Sequence, residues 1–217
     1  MSHITNPKIL RIKENDDWMS RGFYGKNFPK TLEEDFKIRR FLGEKLPKGI
    51  VEALEIERSG SQTKIIIKTS RPALVIGRGG EGVEKLKKDL ENNILAKNQV
   101  VEKRDLRIEV ISVKDVWASA SLSSQWIVGQ IERRMPFRRV LKMALSKIMS
   151  IKAVRGARVE VAGRLNGIDI ARTEWLKDGE LPRQRIRAVM DYGFAEAHCT
   201  YGAIGVRVWI YKGDKFE

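Results

Sequence analysis

The stretch Pro72-Ala73-Leu74-Val75-Ile76-Gly77-Arg78-Gly79-Gly80-Glu81-Gly82-Val83 sets a short apolar segment, a basic glycine loop and the start of a charged helix in direct succession. Glycine has no Cβ, so such a loop lets bare backbone N–H groups and an arginine come close to a phosphate. Two chemistries compete for it. Gly77, Gly79 and Gly82 fit the G-x-G-x-x-G of a nucleotide cradle. Gly77-Arg78-Gly79-Gly80 fits the G-x-x-G loop that clamps an RNA backbone. A plain turn into a helix is the third reading, and the flanking sequence has to choose.

Upstream, Thr31 with Glu34 three residues on reads as a capping box. It opens a helix with Leu32, Phe36, Phe41 and Leu42 as its apolar stripe, stopped near Leu46 by Pro47. Residues 50–58 and 64–69 read as strands joined at Ser59-Gly60-Ser61, and residues 72–76 as a short helical turn. Downstream, residues 83–95 read as a helix with Val83, Leu86, Leu90 and Ile94 on one face. Residues 106–113 alternate as a half-buried strand does. Helix, strand, strand, helix, G-x-x-G, helix, strand is the order of a type II KH domain, whose loop joins two packed helices and grips about four nucleotides.

A dinucleotide fold would need a repeated parallel βαβ unit and an acidic residue roughly twenty positions beyond the glycines. Glu102 or Asp105 could be that acid. The segment between Pro72 and Gly77 is short for a buried strand, however, and one strand and then a helical pair follow. The RNA clamp is therefore preferred, with the plain turn and the cradle kept as rivals. Arg78 supplies its charge, and the N–H groups at the start of the next helix favour phosphate.

The bulk composition agrees. A chain of 217 residues allows one large domain or two small ones. Apolar residues at 42% and charged residues at 32% suit a folded chain. No apolar run is long enough to span a membrane, the first residues lack the apolar core of a secretory signal, and the single Cys199 excludes an internal disulfide. A cytosolic protein is expected. Forty-two Lys and Arg against 28 Asp and Glu leave a formal charge of +14, a self-repulsion that a polyanion offsets. Neither end offers a cationic amphipathic helix for a membrane surface, so nucleic acid is the expected partner.

The composition shifts after Asp115. We expect an arm at 1–30, an RNA-binding KH domain at 31–114 and a C-terminal α+β domain at 115–217. In the last, residues 117–134 read as one helix and Pro136 starts another, with Phe137, Leu141, Ala144, Leu145 and Ile148 at helical spacing. Residues 159–162 and 168–171 read as strands turned across Leu165-Asn166-Gly167, and residues 186–190 and 204–211 as two more. The fold class is α+β: a KH domain of order α-β-β-α-α-β, then two helices on a mostly antiparallel four-stranded sheet.

Between Trp126 and Arg164 stand ten Lys and Arg and only two Glu. At ~100° per residue, Arg139 and Lys142 project opposite the Phe137/Leu141/Ile148 stripe, with Arg138 beside them and Arg133 and Arg134 just upstream. A merely solvated face would mix signs to gain i,i+4 pairs. This one does not, and nucleic-acid contact is preferred. Catalytic signatures are missing. His198 and Cys199 are adjacent and diverge on a strand, the other histidine is His3, and no zinc spacing, Walker loop or nucleophile elbow is present. Asp169, Glu174, Asp178 and Glu180 alternate with Arg172 and Lys177 and read as an ion-pair surface. Trp117, Trp126, Trp175 and Trp209 read as core. No enzyme, metal, cofactor or small-molecule substrate is expected.

Taken in order, LEEDFKIRRFL, SRPALVIGRGGEGVEKL, QIERRMPFRRVLKMAL, VEVAGRLNGIDIARTEW and EAHCTYGAIGVRVWIYKG resemble the small-ribosomal-subunit protein S-three family, bacterial or organellar type, over nearly the whole chain. The resemblance implies a structural constituent of the small-subunit head that binds ribosomal RNA. It also implies a basic lining for the tunnel by which messenger RNA enters, support for unwinding structured message, and S-ten, S-fourteen and S-two as neighbours. Carried over, Gly77, Arg78, Gly79 and Gly80 are the KH loop, and Arg138, Arg139 and Lys142 face incoming message. Arg11, Arg133, Arg134, Arg155, Arg158, Arg164 and Arg172 are expected as further rRNA contacts. The arm departs from the family, with Asn6-Pro7 for its His-Pro and Ile9 and Lys13 where glycines are usual, while Arg11 keeps its place. The location implied is the ribosome, in the cytoplasm or in an organelle matrix if the gene is organellar. A free-standing KH-type RNA-binding protein is the alternative, and a nucleotide-dependent enzyme the third reading.

Overall fold

The β-branched run Ile65-Ile66-Ile67 is buried throughout because its strand is an inner one of a sheet. The computed structural model describes residues 5–11, 17–23, 28–60, 62–92 and 105–215. These form two units, residues 18–114 and residues 1–17 together with 115–217, so the residues expected as an arm divide between them. The first unit holds a sheet of order β1-β2-β3-β4, from β1 (Ser20–Gly22), β2 (Val51–Ser59), β3 (Gln62–Thr69) and β4 (Asp105–Ser112). β2 and β3 form an antiparallel hairpin, β4 runs parallel to β3, and the short β1 runs parallel to β2.

Ile65 and Ile67 face helices α1 (Phe28–Lys45), α2 (Pro72–Ile76) and α3 (Glu81–Leu90), which contribute Ile38, Leu42, Val75 and Leu90 to one core. Burying such a side chain contributes about 1.5–3 kcal/mol. Ile66 points the other way, between Glu55 and Glu109. The ion pairs Lys68–Glu55 and Lys64–Glu109 flank it, and their methylene stems shield it from water.

Two features of α1 differ from the expectation. The helix begins at Phe28, so Thr31 does not cap it, and Leu32 and Phe36 lie exposed while Glu34 and Asp35 are buried. The cause is Arg58 on β2, which donates from Nη1 to Glu34 and from Nε to Asp35, both at 3.0 Å. One guanidinium satisfying two carboxylates makes their burial tolerable. The helix is thereby rotated to seat Ile38, Leu42 and Leu46. In the expected helix 83–95, residues 93–95 lie outside the described residues.

In the second unit the expected helix 117–134 is two pieces, a 3₁₀ turn at Val116–Ala118 and α4 (Ala120–Glu132), with Ser119 extended between them. The carboxylate of Asp191, far along the chain, accepts the Ala120 N–H at 2.8 Å and so starts α4. Helix α5 (Phe137–Met149) follows Pro136. Strands β5 (Gly156–Gly163), β6 (Arg172–Gly179), β7 (Ala188–Cys199) and β8 (Gly202–Asp214) pair antiparallel throughout in the order β6-β5-β8-β7. Ile127, Ile131, Leu141, Ala144 and Ile148 pack on Val159, Val161, Val206 and Val208.

The Asn166-Gly167 signal does not make a two-residue hairpin. Leu165–Gly167 is a 3₁₀ turn and β6 starts only at Arg172, leaving Ile168 and Ile170 exposed rather than on a strand. Leu165 is fully buried, and Arg164 closes the loop by donating to the Ile168 carbonyl at 3.1 Å and to Asp169 at 2.8 Å. That anchoring overrides the local turn preference. Trp209 is core, and Trp117 and Trp126 pack edge to face at 4.9 Å, but Trp175 stands 51% exposed.

Candidate nucleic-acid interface

In the first unit, α2 ends at Gly77, whose φ of 73° is left-handed, and a 3₁₀ turn over Arg78–Gly80 leads into α3. The glycines do different work. A Cβ on Gly82 would stand 2.6 Å from the Val75 carbonyl oxygen, and one on Gly77 would stand 2.9 Å from the Gly82 nitrogen. This pair lets the two helices cross at backbone distance. Gly79 and Gly80, at φ 60° and 88°, would meet nothing within 4 Å. They leave the outer side of the loop open beside the exposed Arg78.

No side chain caps the start of α3, and the Glu81 N–H is given to the Arg78 carbonyl, so an anion at this helix end would draw on the N–H groups that follow it. Glu81 and Glu84 occupy the same first turn, and Lys85 sits 3.6 Å from Glu81 and reduces the conflict. Leu74 and Ile76 are exposed beside the loop. The sequence reading missed this apolar shelf, although helical phase carries the signal: with Val75 buried, its two neighbours must point away from the core.

In the second unit, Phe137, Val140, Leu141, Ala144 and Ile148 bury one side of α5. Arg138, Arg139 and Lys142 cover the exposed side. Arg138 approaches Glu174 only at 3.9 Å, with its side chain 73% exposed. Arg139 and Lys142 make no ion pair among the described residues. Arg172 shares Glu174 at 3.7 Å and, like Arg138, lies over the Phe137 ring, so those two arginines are brought together. Arg133 and Arg134 are exposed in the link before Pro136, and Arg134 holds a left-handed φ of 62°, a strained state for a side-chain-bearing residue.

The remaining arginines are placed differently. Arg11 is 2% exposed, and its guanidinium donates to the carbonyls of Pro7, Arg183, Arg185 and Ala188. Burial lowers its pKa. With four of its five N–H donors spent on backbone carbonyls and its side chain buried, it pins the N-terminal segment instead of standing open to phosphate, which weighs against its expected role as a direct rRNA contact. Arg158 is largely buried on Glu160 and against Trp175. Arg164 serves the turn after β5. Arg155 is exposed and packs beside Gly213.

The thiol of Cys199 is pushed up by burial and by Glu132, while the His198 N–H donates to Glu132. These two form no nucleophile pair. Among the described residues no group of three His, Cys, Asp or Glu is disposed to hold a metal, and no helix is long and apolar enough to cross a membrane.

Comparison with known proteins gives two family matches. Residues 127–210 match the family described as Ribosomal protein S3, C-terminal domain, and residues 37–118 match the KH domain. The small ribosomal subunit protein uS3 of Caldicellulosiruptor saccharolyticus is 44% identical over 99% of this chain and 93% of its own length. That of Lawsonia intracellularis is 40% identical over 100% of this chain and 98% of its own, and that of Endomicrobium trichonymphae 41% over 100% and 90%.

Proposed function

The chain belongs to the ribosomal protein S3 family, a structural, non-enzymatic component of the small ribosomal subunit, and on that premise we propose that it grips RNA at two basic surfaces with separate tasks. The loop Gly77–Gly80 holds ribosomal RNA by backbone N–H groups and Arg78. The exposed face of α5, with Arg138, Arg139 and Lys142, lines the opening by which messenger RNA enters. Arg133, Arg134, Arg155 and Arg172 extend the contact to ribosomal RNA. The neighbours are the head proteins S-ten and S-fourteen, with S-two on the outer side.

The observation that carries this reading is the bare charge of α5. Three cations stand on one exposed helical face, and among the described residues the ion pair they make is that of Arg138 with Glu174, at 3.9 Å. Cations fixed where the strands part lower the energy of the single strands that lie against them. They bias opening of structured message without supplying work, so the energy comes from translocation.

The test is the salt dependence of single-stranded RNA binding. Each phosphate neutralised on a single strand contributes roughly 0.7 to the log–log slope. Replacing Arg138, Arg139 and Lys142 together by Gln is expected to reduce the slope by roughly 2 and to slow translation through stable hairpins in reconstituted subunits. An unaltered slope assigns these side chains to solvation.

A further inference from the structure

Helices α4 and α5 cover one face of the C-terminal sheet, where Val159 and Val161 meet Val206 and Val208. Side chains alternate along a strand, so Glu160 and Arg207 between them point to the opposite face. Register extends this into a row across all four strands, Trp175–Glu160–Arg207–Phe194. Trp175 and Phe194 are 51% and 50% exposed, and three strand spacings set them roughly 14 Å apart.

The row is built rather than merely uncovered. Glu160, 3% exposed, binds Arg158 at 2.7 Å and Arg207 at 3.1 Å. Those guanidiniums lie against rings, Arg158 at 4.3 Å from Trp175 and Arg207 at 5.9 Å from Phe194. A Cβ on Gly205 would stand 3.5 Å from the Phe194 ring, so that ring rests on bare backbone with half its surface open.

We propose that this open sheet face is a stacking platform for single-stranded RNA, with Trp175 and Phe194 each accepting a base and Arg207 holding the phosphate between them. Planar rings interleaved with guanidiniums offer bases a π surface and phosphates a cation at once. One carboxylate, Glu160, serves both guanidiniums, so the row keeps a net positive charge that an apolar protein partner would bury uncompensated. The ion pairs to Glu160 fix both arginines beforehand, so little rotamer freedom is lost on binding. The platform is independent of the α5 face and does not rest on its role.

The test uses the full chain and a fluorescein-labelled twelve-nucleotide oligouridine carrying one 4-thiouridine. Irradiation is expected to link the oligonucleotide to peptides containing Trp175 and Phe194. Trp175→Ala and Phe194→Ala should each weaken binding about five-fold or more without changing the salt slope, whereas loss of the α5 cations changes the slope. Trp175→Phe, which keeps a ring, should retain most of the affinity. Melting curves check that the variants fold, and the cross-link map on the unaltered chain stands even where one does not. The proposal is overturned by cross-links confined to other surfaces or by wild-type affinity in the doubly substituted chain. It is equally overturned if the double substitution releases a small-subunit protein while sparing the oligonucleotide, since the face then docks protein.

Discussion

The Nε of Arg11 donates to the carbonyl oxygen of Ala188 at 2.9 Å, a bond that ties the N-terminal segment to the first residue of β7. Pro7, Arg183 and Arg185 supply three further carbonyls at 2.7, 3.0 and 2.8 Å. Arg11→Ala strands four acceptors, two of its own bonds being fully buried, and is expected to destabilise the second unit by about 2–4 kcal/mol. Arg11→Lys should recover little, since an ammonium cannot span the fork of a guanidinium. Denaturant unfolding measures both. RNA affinity below the transition should not change, because the side chain is buried against backbone carbonyls and does not reach the surface.

The two pairs of glycines around the loop separate stability from binding. Gly82→Ala forces a Cβ against the carbonyl oxygens of Val75 and Ile76, at 2.6 and 2.8 Å. Backbone must move to admit it, so a loss of about 1–3 kcal/mol is expected. Gly79→Asp with Gly80→Asp meets open space and costs only the left-handed backbone, about 1–2 kcal/mol each or less for Asp. The new charges repel phosphate, and affinity for ribosomal RNA should collapse while the melt stays cooperative. Thermal melts beside filter binding test the contrast, which fails if Gly82→Ala lowers affinity at a temperature where it is folded.

Much of this was legible in local pattern. The Pro72 turn and glycine spacing specify the loop, and the 3.6-residue period of Phe137, Leu141, Ala144 and Ile148 specifies α5, because both are set by neighbours in sequence. What escaped depends on distant partners. Nothing near Glu34 and Asp35 announces that Arg58 will reach them from β2. Leu165 overrode the Asn-Gly turn by burying itself in a core assembled from other strands. Strand β6 was hidden because its outward row carries Trp175, which alternation alone assigns to an interior. Arg11 looked like one more basic residue for RNA until its four carbonyl partners, three of them after residue 180, were in view.

Acid should weaken the second unit through Asp214. The Tyr211 hydroxyl donates to its carboxylate at 2.8 Å, and with Arg185 holds it below the ordinary carboxylate range against the opposing effect of burial. A carboxyl depressed on folding binds fewer protons in the native than in the unfolded chain. Its stabilisation is therefore complete above the unfolded pKa and is lost as pH falls through the folded one. Asp214→Asn should melt below the wild type at neutral pH, with the gap closing on acidification below the ordinary carboxylate range. A gap that is constant with pH would mean that the contact is geometric and not ionic.

Arg134 sets stability against binding at a single residue. Its φ of 62° is the left-handed state, adopted so that its N–H reaches the Ile131 carbonyl at 2.9 Å and Met135 returns to Gln130 at 3.2 Å, which closes α4 before Pro136 opens α5. Glycine is the residue that holds this conformation without strain, and the exposed arginine side chain contributes no core packing. Relief of the strain exceeds the added freedom of the unfolded chain, so Arg134→Gly is expected to stabilise the protein by up to about 1 kcal/mol. If the cation is kept at this costly position to neutralise a phosphate, the same variant should bind single-stranded RNA more weakly, with a salt slope lower by roughly 0.7. Arg134→Lys keeps both charge and strain and should match the wild type in each measurement. A glycine variant that is more stable and binds RNA with unchanged affinity and slope would remove Arg134 from the interface and leave its backbone as a plain helix stop.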